Sequence, residues 1–138
     1  MWTTEVNWLA VIVAAVINMA VGAFWYSPMA FGKAWMKAIG KTEADIRASS
    51  GNMALTYGVT AIGALVQVFI LAMLVRLTGA ENFGHGLLLG LWVWLGFIAV
   101  FLLNEMTFGG RPVVYCAITG GFFLVTLLVS GGILAAWR

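Results

Sequence analysis

Leu9-Ala10-Val11-Ile12-Val13-Ala14-Ala15-Val16-Ile17 is an unbroken apolar run in which nothing alternates. A strand of a membrane β-barrel would need apolar and polar residues alternating over about ten positions, so this run reads as helix. It lies inside residues 6–32, which contain no Lys, Arg, Asp or Glu. Outward from there, the charges stand at 5, 33, 37, 41, 43, 45, 47, 76, 81, 105, 111 and 138. They leave three more uncharged windows, 48–75, 82–104 and 112–137, the shortest being 23 residues long. A helix needs about 20 apolar residues to cross a hydrocarbon core of about 30 Å. Each window suffices for one crossing and none for two. The expected fold is an all-α membrane protein in a single domain. Its four transmembrane helices, arranged as two hairpins, cover Val6–Tyr26, Met53–Leu77, Leu87–Leu103 and Val113–Trp137. Pro28 and Pro112, the two prolines, fall outside these spans, where proline can begin or end a helix.

Composition agrees. Of the 138 residues, 63% are hydrophobic and 9% are charged, and the mean hydropathy is +1.03. An ordinary soluble domain carries about 25% charged residues. A water-soluble enzyme, a disordered tail and a nucleic-acid-binding module are therefore poor readings. The net charge of +2 forms no basic stripe of the kind nucleic acid requires. Cys116, the single cysteine, can form no intrachain disulfide and reads as a small buried hydrophobe.

The first span does not read as a cleaved signal peptide. Its flank, Met1-Trp2-Thr3-Thr4-Glu5, has no basic side chain, and no small-residue cleavage pattern precedes Phe24-Trp25-Tyr26. Lys33, Lys37, Lys41 and Arg47 in the first connection and Arg111 in the third outnumber Arg76 and Arg138 on the other side. The expected location is the cell inner membrane, as a multi-pass protein, which the positive-inside rule then orients. Loops 27–52 and 104–112 would be cytoplasmic and both termini outside. Trp2, Trp8 and Trp137 fall at the expected outer boundary, and Trp25, Tyr26, Tyr57 and Tyr115 at the inner one. Trp94 lies deeper and reads as filler between helices.

The connection 27–52 has organisation of its own. Lys33 and Lys37 share a helical face, with Met29, Phe31, Trp35, Met36 and Ile39 interspersed, which predicts a short helix lying in the interface. Gly40 would stop it, and Thr42 would cap a second short helix with Glu43 and Asp45 in its first turn. Ser49-Ser50-Gly51 would break that one. A faint internal echo links Met29-Ala30-Phe31-Gly32-Lys33 with Met106-Thr107-Phe108-Gly109-Gly110-Arg111, as two hairpins of like orientation would.

Several pieces resemble a known family. They are Val6-Asn7-Trp8-Leu9-Ala10-Val11, Gly22-Ala23-Phe24-Trp25-Tyr26-Ser27-Pro28, Phe31-Gly32-Lys33-Ala34-Trp35, Gly109-Gly110-Arg111-Pro112 and the glycine-rich last helix ending Ala136-Trp137. Together they are similar to a family of small four-helix membrane proteins catalogued as a domain of unknown function. Gly-x-x-Trp-Tyr-Ser-Pro is the most specific part. The resemblance implies a one-domain four-helix fold and carries over no catalytic residue.

Enzyme chemistry finds little footing. His85, the sole histidine, reads as a solvated residue of the outer loop, and no acid lies inside a span to complete a dyad or triad. There is no zinc spacing, phosphate loop or dinucleotide fingerprint. No catalytic, metal or cofactor residue is expected.

Intramembrane polar groups matter more, because an unpaired amide in lipid is costly. Asn18 and Gln67 lie mid-span. Asn18 continues a small-residue stripe, Ala10, Ala14, Asn18 and Gly22; Thr56, Thr60 and Ala64 make another, and Gly86 with Gly90 a third. The last helix offers Ala117, Gly121 and Ser130-Gly131-Gly132. Such stripes let backbones approach, either inside the bundle, with Asn18 bonding Gln67 or a carbonyl, or between copies. Asn104-Glu105 is followed by Arg111, so Glu105 either pairs with Arg111 or guards a polar opening with Lys33, Trp25 and Tyr26. The expected role is that of a non-enzymatic homo-oligomer or an accessory subunit of a membrane complex. A permeation unit for ions or small solutes, built from several copies, is the alternative. A lipid- or cofactor-binding protein using the inner aromatic cluster is the third reading. The bilayer and another membrane protein are the expected partners, with no nucleic acid.

Overall fold

The structure, a computed structural model, describes residues 5–50 and 53–137. The expectations for the 1–4 flank, Trp2, the break at Gly51 and the charge of Arg138 lie outside the described residues. The described chain forms α1 (Trp8–Trp25), α2 (Gly32–Ile39), α3 (Glu43–Ser50), α4 (Met53–Thr78), α5 (Phe83–Val93), a π-helical turn (Trp94–Ala99), α6 (Val100–Thr107) and α7 (Val113–Ala136). α5, the π turn and α6 run on as one rod, so four helices are long and apolar enough to cross a membrane. Between 17% and 33% of each span is buried within the protein. Most of their apolar surface therefore faces outward, where lipid solvates it.

The third helix extends beyond Leu87–Leu103 at both ends. Asn82 caps it, its Oδ1 accepting from the His85 N–H at 2.9 Å, and this draws Phe83–Gly86 into the first turn. His85 is thus helical, correcting its reading as a loop residue. It remains exposed, with Nδ1 3.4 Å from Asn82 Nδ2. At the other end the helix runs through Asn104 and Glu105 to Thr107. A carboxylate ends an apolar window without ending the backbone hydrogen bonds. Asn7 starts α1 in the same way, its Oδ1 accepting from Ala10 N–H at 3.2 Å.

α7 is the hub, packing against α1, α4, α5 and α2. Its seam with α5 is backbone on backbone. A Cβ added to Gly86 would strike the Gly131 carbonyl, and one added to Gly90 would strike that of Leu127. Lipid tails are as apolar as leucine, so helices in a membrane associate by close packing rather than by escape from water. Both glycine stripes are thereby used inside the bundle.

The π turn has a geometric cause. Gly86, Gly90, Trp94, Ile98 and Leu102 recur every four residues along the side that meets α7. In an uninterrupted α-helix, at about 100° per residue, that row would drift about 160° around the axis. The wider π winding takes part of the drift back. Trp94 can then donate its indole N–H to Gly120 O at 2.8 Å while Leu102 still lies against Gly120.

The first connection folds as its sequence predicts, except that α3 runs on through Ser49 and Ser50 instead of breaking there. α2 packs against α7, with Lys33 and Lys37 exposed and Trp35, Met36 and Ile39 half-buried. Gly40, at φ 71°, ends it in the left-handed region that favours glycine. Thr42 N–H donates to Asp45 Oδ2 at 3.0 Å and Asp45 N–H to Thr42 Oγ1 at 3.2 Å, a reciprocal capping box at the start of α3.

Candidate functional site

α1 and α4 pack tightly in one half of the bundle and part in the other. Ala10, Val11 and Ala14 share a core with Val68, Leu71 and Val75. From Val68 back toward its start, α4 leaves the bundle. Residues 54–60 are all exposed, and a Cβ added to Gly58 or Gly63 would meet nothing within 4 Å. The opening between α1, α4 and α7 is a cleft of about 670 Å³. It faces the end of the bundle that carries the basic 27–52 connection, and it stops at the packed half.

The cleft is graded in polarity. Its mouth has Tyr26 on α1 and Tyr57 on α4; its walls include Met19, Ala23, Phe122 and Phe123. At the deep end, halfway along the spans, stand Asn18, Gln67 and Thr126. Asn18 is 5% exposed and Ser130, beneath it on α7, is wholly buried. Ser130 Oγ donates to Asn18 Oδ1 at 2.9 Å. Thr126 donates back to Phe123 O at 3.2 Å, and Thr60, partway up α4, to Thr56 O at 2.9 Å. Gln67 makes no hydrogen bond among the described residues.

Aromatic contacts brace the mouth. The Tyr26 ring stands edge-on to Phe122 and to Trp35 of α2, both at 5.5 Å between centroids. Gly22 gives Phe122 room, its added Cβ lying 3.4 Å from that ring. Ser27 Oγ donates to Phe24 O at 2.6 Å and so ties off the end of α1.

Of the residues singled out from sequence, Asn18, Gly22, Tyr26 and Gln67 come together in this cleft. Trp25 does not line it. Its indole donates to Ile118 O at 2.9 Å and its ring lies over Gly121. Asn18 takes Ser130 as its partner rather than Gln67. Asn104 is exposed, and Glu105 meets Arg111 instead of the aromatic cluster, at 3.7 Å between Oε2 and Nε. The Arg111 guanidinium also lies 5.2 Å over the Tyr115 ring. Such exposed pairs contribute little to stability.

Ser130 and Thr126 were not singled out as polar site residues. Their four-residue spacing on α7 was the available signal, since it puts two hydroxyls on one helix face. Among the described residues no three His, Cys, Asp or Glu side chains group as metal ligands.

No curated protein and no solved structure matches the chain. Residues 9–135 match the model of a family described as a protein of unknown function, DUF1761, and the chain belongs to that family.

Proposed function

We propose that this is a non-enzymatic membrane protein whose working part is the cleft, and that the cleft holds a lipid-soluble molecule taken from the bilayer. The observation that carries the reading is the polar blind end at mid-span, where Asn18 and Gln67 face an apolar space of about 670 Å³. Sites for small ligands commonly measure about 300–1,000 Å³, with apolar walls and a few placed polar groups. Unanswered carboxamides at this depth cost free energy, and an occupant with a polar group relieves that cost. Closure of the cleft by the packed half of α1 and α4 favours occupancy over passage. The basic end is oriented toward the cytoplasm of the inner membrane by its lysines and arginines, so the mouth opens in the inner leaflet.

A second reading, association with another copy or with a larger complex, has one observation in its favour. Of the stripe Thr56, Thr60 and Ala64 on α4, Thr60 and Ala64 line the cleft and Thr56 is exposed, unlike the glycine stripes of α5 and α7, which pack against each other. A helix from a neighbour, laid over the cleft, would meet the same carboxamides.

Native mass spectrometry of protein extracted from membranes separates the two. The ligand reading expects a monomer with a retained small apolar molecule, lost in the cleft-filling variant Ala64→Trp. A ligand-free dimer that Ala64→Trp dissociates would support association instead.

A further inference from the structure

The geometry points to an uncharged hydrogen-bond acceptor, a carbonyl on an apolar body, as the group that the cleft holds between Asn18 and Gln67. This inference rests on the reading of the cleft as a ligand site and names the chemistry of what fills it.

The Asn18 oxygen accepts from Ser130, so its amide nitrogen is left with two protons and no partner among the described residues. The side chain is more than nine-tenths buried and lines the cleft, so those protons face the cleft interior. Gln67 brings a second unpaired amide group on the facing wall. The nearby hydroxyls of Thr126 and Thr60 donate to carbonyls of their own helices. Asn18, its oxygen taken by Ser130, turns only N–H toward the cleft, while Gln67 brings both an N–H and a carbonyl oxygen. An occupant that bonds to Asn18 must accept, and Gln67 can donate to the same atom.

Charge narrows the class. No residue lining the cleft is Lys, Arg, His, Asp or Glu. A carboxylate or phosphate would sit in a low-dielectric site without a counter-ion, and desolvating such an ion is far costlier than an amide hydrogen bond repays. A carbonyl oxygen loses little hydration, and its two lone pairs can take one proton from each carboxamide. Depth narrows it again. Phospholipid headgroups stay at the interface, whereas the deep end lies level with residues 18 and 67, midway along α1 and α4. Lipid-soluble carbonyl compounds that reach this level include quinones, with ring carbonyls, and neutral glycerides, with ester carbonyls. The shared chemistry is the neutral carbonyl.

Equilibrium binding to the full chain in nanodiscs tests this with three probes: decylubiquinone, dioctanoylglycerol and decylbenzene, which has no carbonyl. The expected result is that a carbonyl probe binds at least tenfold more tightly than decylbenzene, and that Gln67→Leu removes that preference. Gln67 makes no bond in the fold, so this variant should fold even where Asn18→Leu, which strands Ser130, does not. Preference for decylubiquinone identifies a quinone, and preference for dioctanoylglycerol identifies a glyceride; either supports the inference. Equal binding of all three, abolished by Ala64→Trp, overturns the carbonyl assignment while leaving the ligand site standing. No binding of any probe overturns both.

Discussion

Ser130 Oγ and Asn18 Oδ1 lie 2.9 Å apart and tie α7 to α1 at mid-span, with both side chains almost entirely buried. The bond fixes more than a helix contact. By occupying the asparagine oxygen it leaves the amide protons for the cleft, so a structural contact on one side sets the hydrogen-bond character of the other. Removal of the hydroxyl in Ser130→Ala should lower stability by about 1 kcal/mol, within the usual cost of leaving a buried acceptor unpaired. A double-mutant cycle with Asn18→Leu should return a coupling of about 0.6 kcal/mol, typical of interhelical hydrogen bonds in membranes. Reversible unfolding in detergent micelles measures both.

The α5–α7 seam depends on the absence of side chains. Gly86→Leu would push α5 off the Gly131 carbonyl and should cost about 3 kcal/mol or more, the upper range for overpacked sites. Gly58→Ala, where an added Cβ meets nothing within 4 Å, should be neutral or stabilising by up to about 1 kcal/mol through helix propensity. Thermal unfolding of the two variants side by side tests the contrast.

Much of this architecture is legible in the residues themselves. Gaps between charges locate the four spans because an ionised side chain at the bilayer centre is costly. Gly40 and Thr42 mark the short helices because left-handed caps and N-caps admit few residue types. The true ends of the third helix are less legible, because Asn82 and Glu105 act through local hydrogen bonds that an apolar window does not register. The cleft is harder still. Asn18 and Gln67 stand out as intramembrane amides, but their spacing in sequence holds no record that α4 leaves α1 below Val68. Ser130 hides in a glycine-rich stretch, Ser130-Gly131-Gly132, where small size masks its hydroxyl. Trp25 reads as a belt residue, while its indole in fact reaches Ile118 O on α7.

The start of α3 should respond to acid. Hydrogen bonds from the Thr42 backbone N–H and hydroxyl hold the Asp45 carboxyl below its ordinary value of 3.8. A depressed carboxyl contributes stability that is fully present above the unfolded value and is lost as pH falls through the folded one. The protection factors of the Thr42 and Asp45 amides, measured from about pH 5 to about pH 2 and corrected for intrinsic exchange, should fall at the acid end. In Asp45→Asn the acid-dependent part should vanish, whereas an unchanged profile would remove the carboxylate from the cap.

Orientation has its own test. Reporters fused within 41–50 and within 79–82 should report opposite compartments, with the 41–50 fusion cytoplasmic. Both in one compartment would contradict the threading of α4, and the reverse assignment would contradict the orientation alone.

A structure of the protein in lipid nanodiscs tests the central claim most directly, because it shows what stands between Asn18 and Gln67. The expected result is elongated non-protein density running from Tyr26 and Tyr57 to the two carboxamides, with α4 still parted from α1. A closed cleft in which Gln67 reaches Asn18, or a second copy's helix in its place, would contradict it.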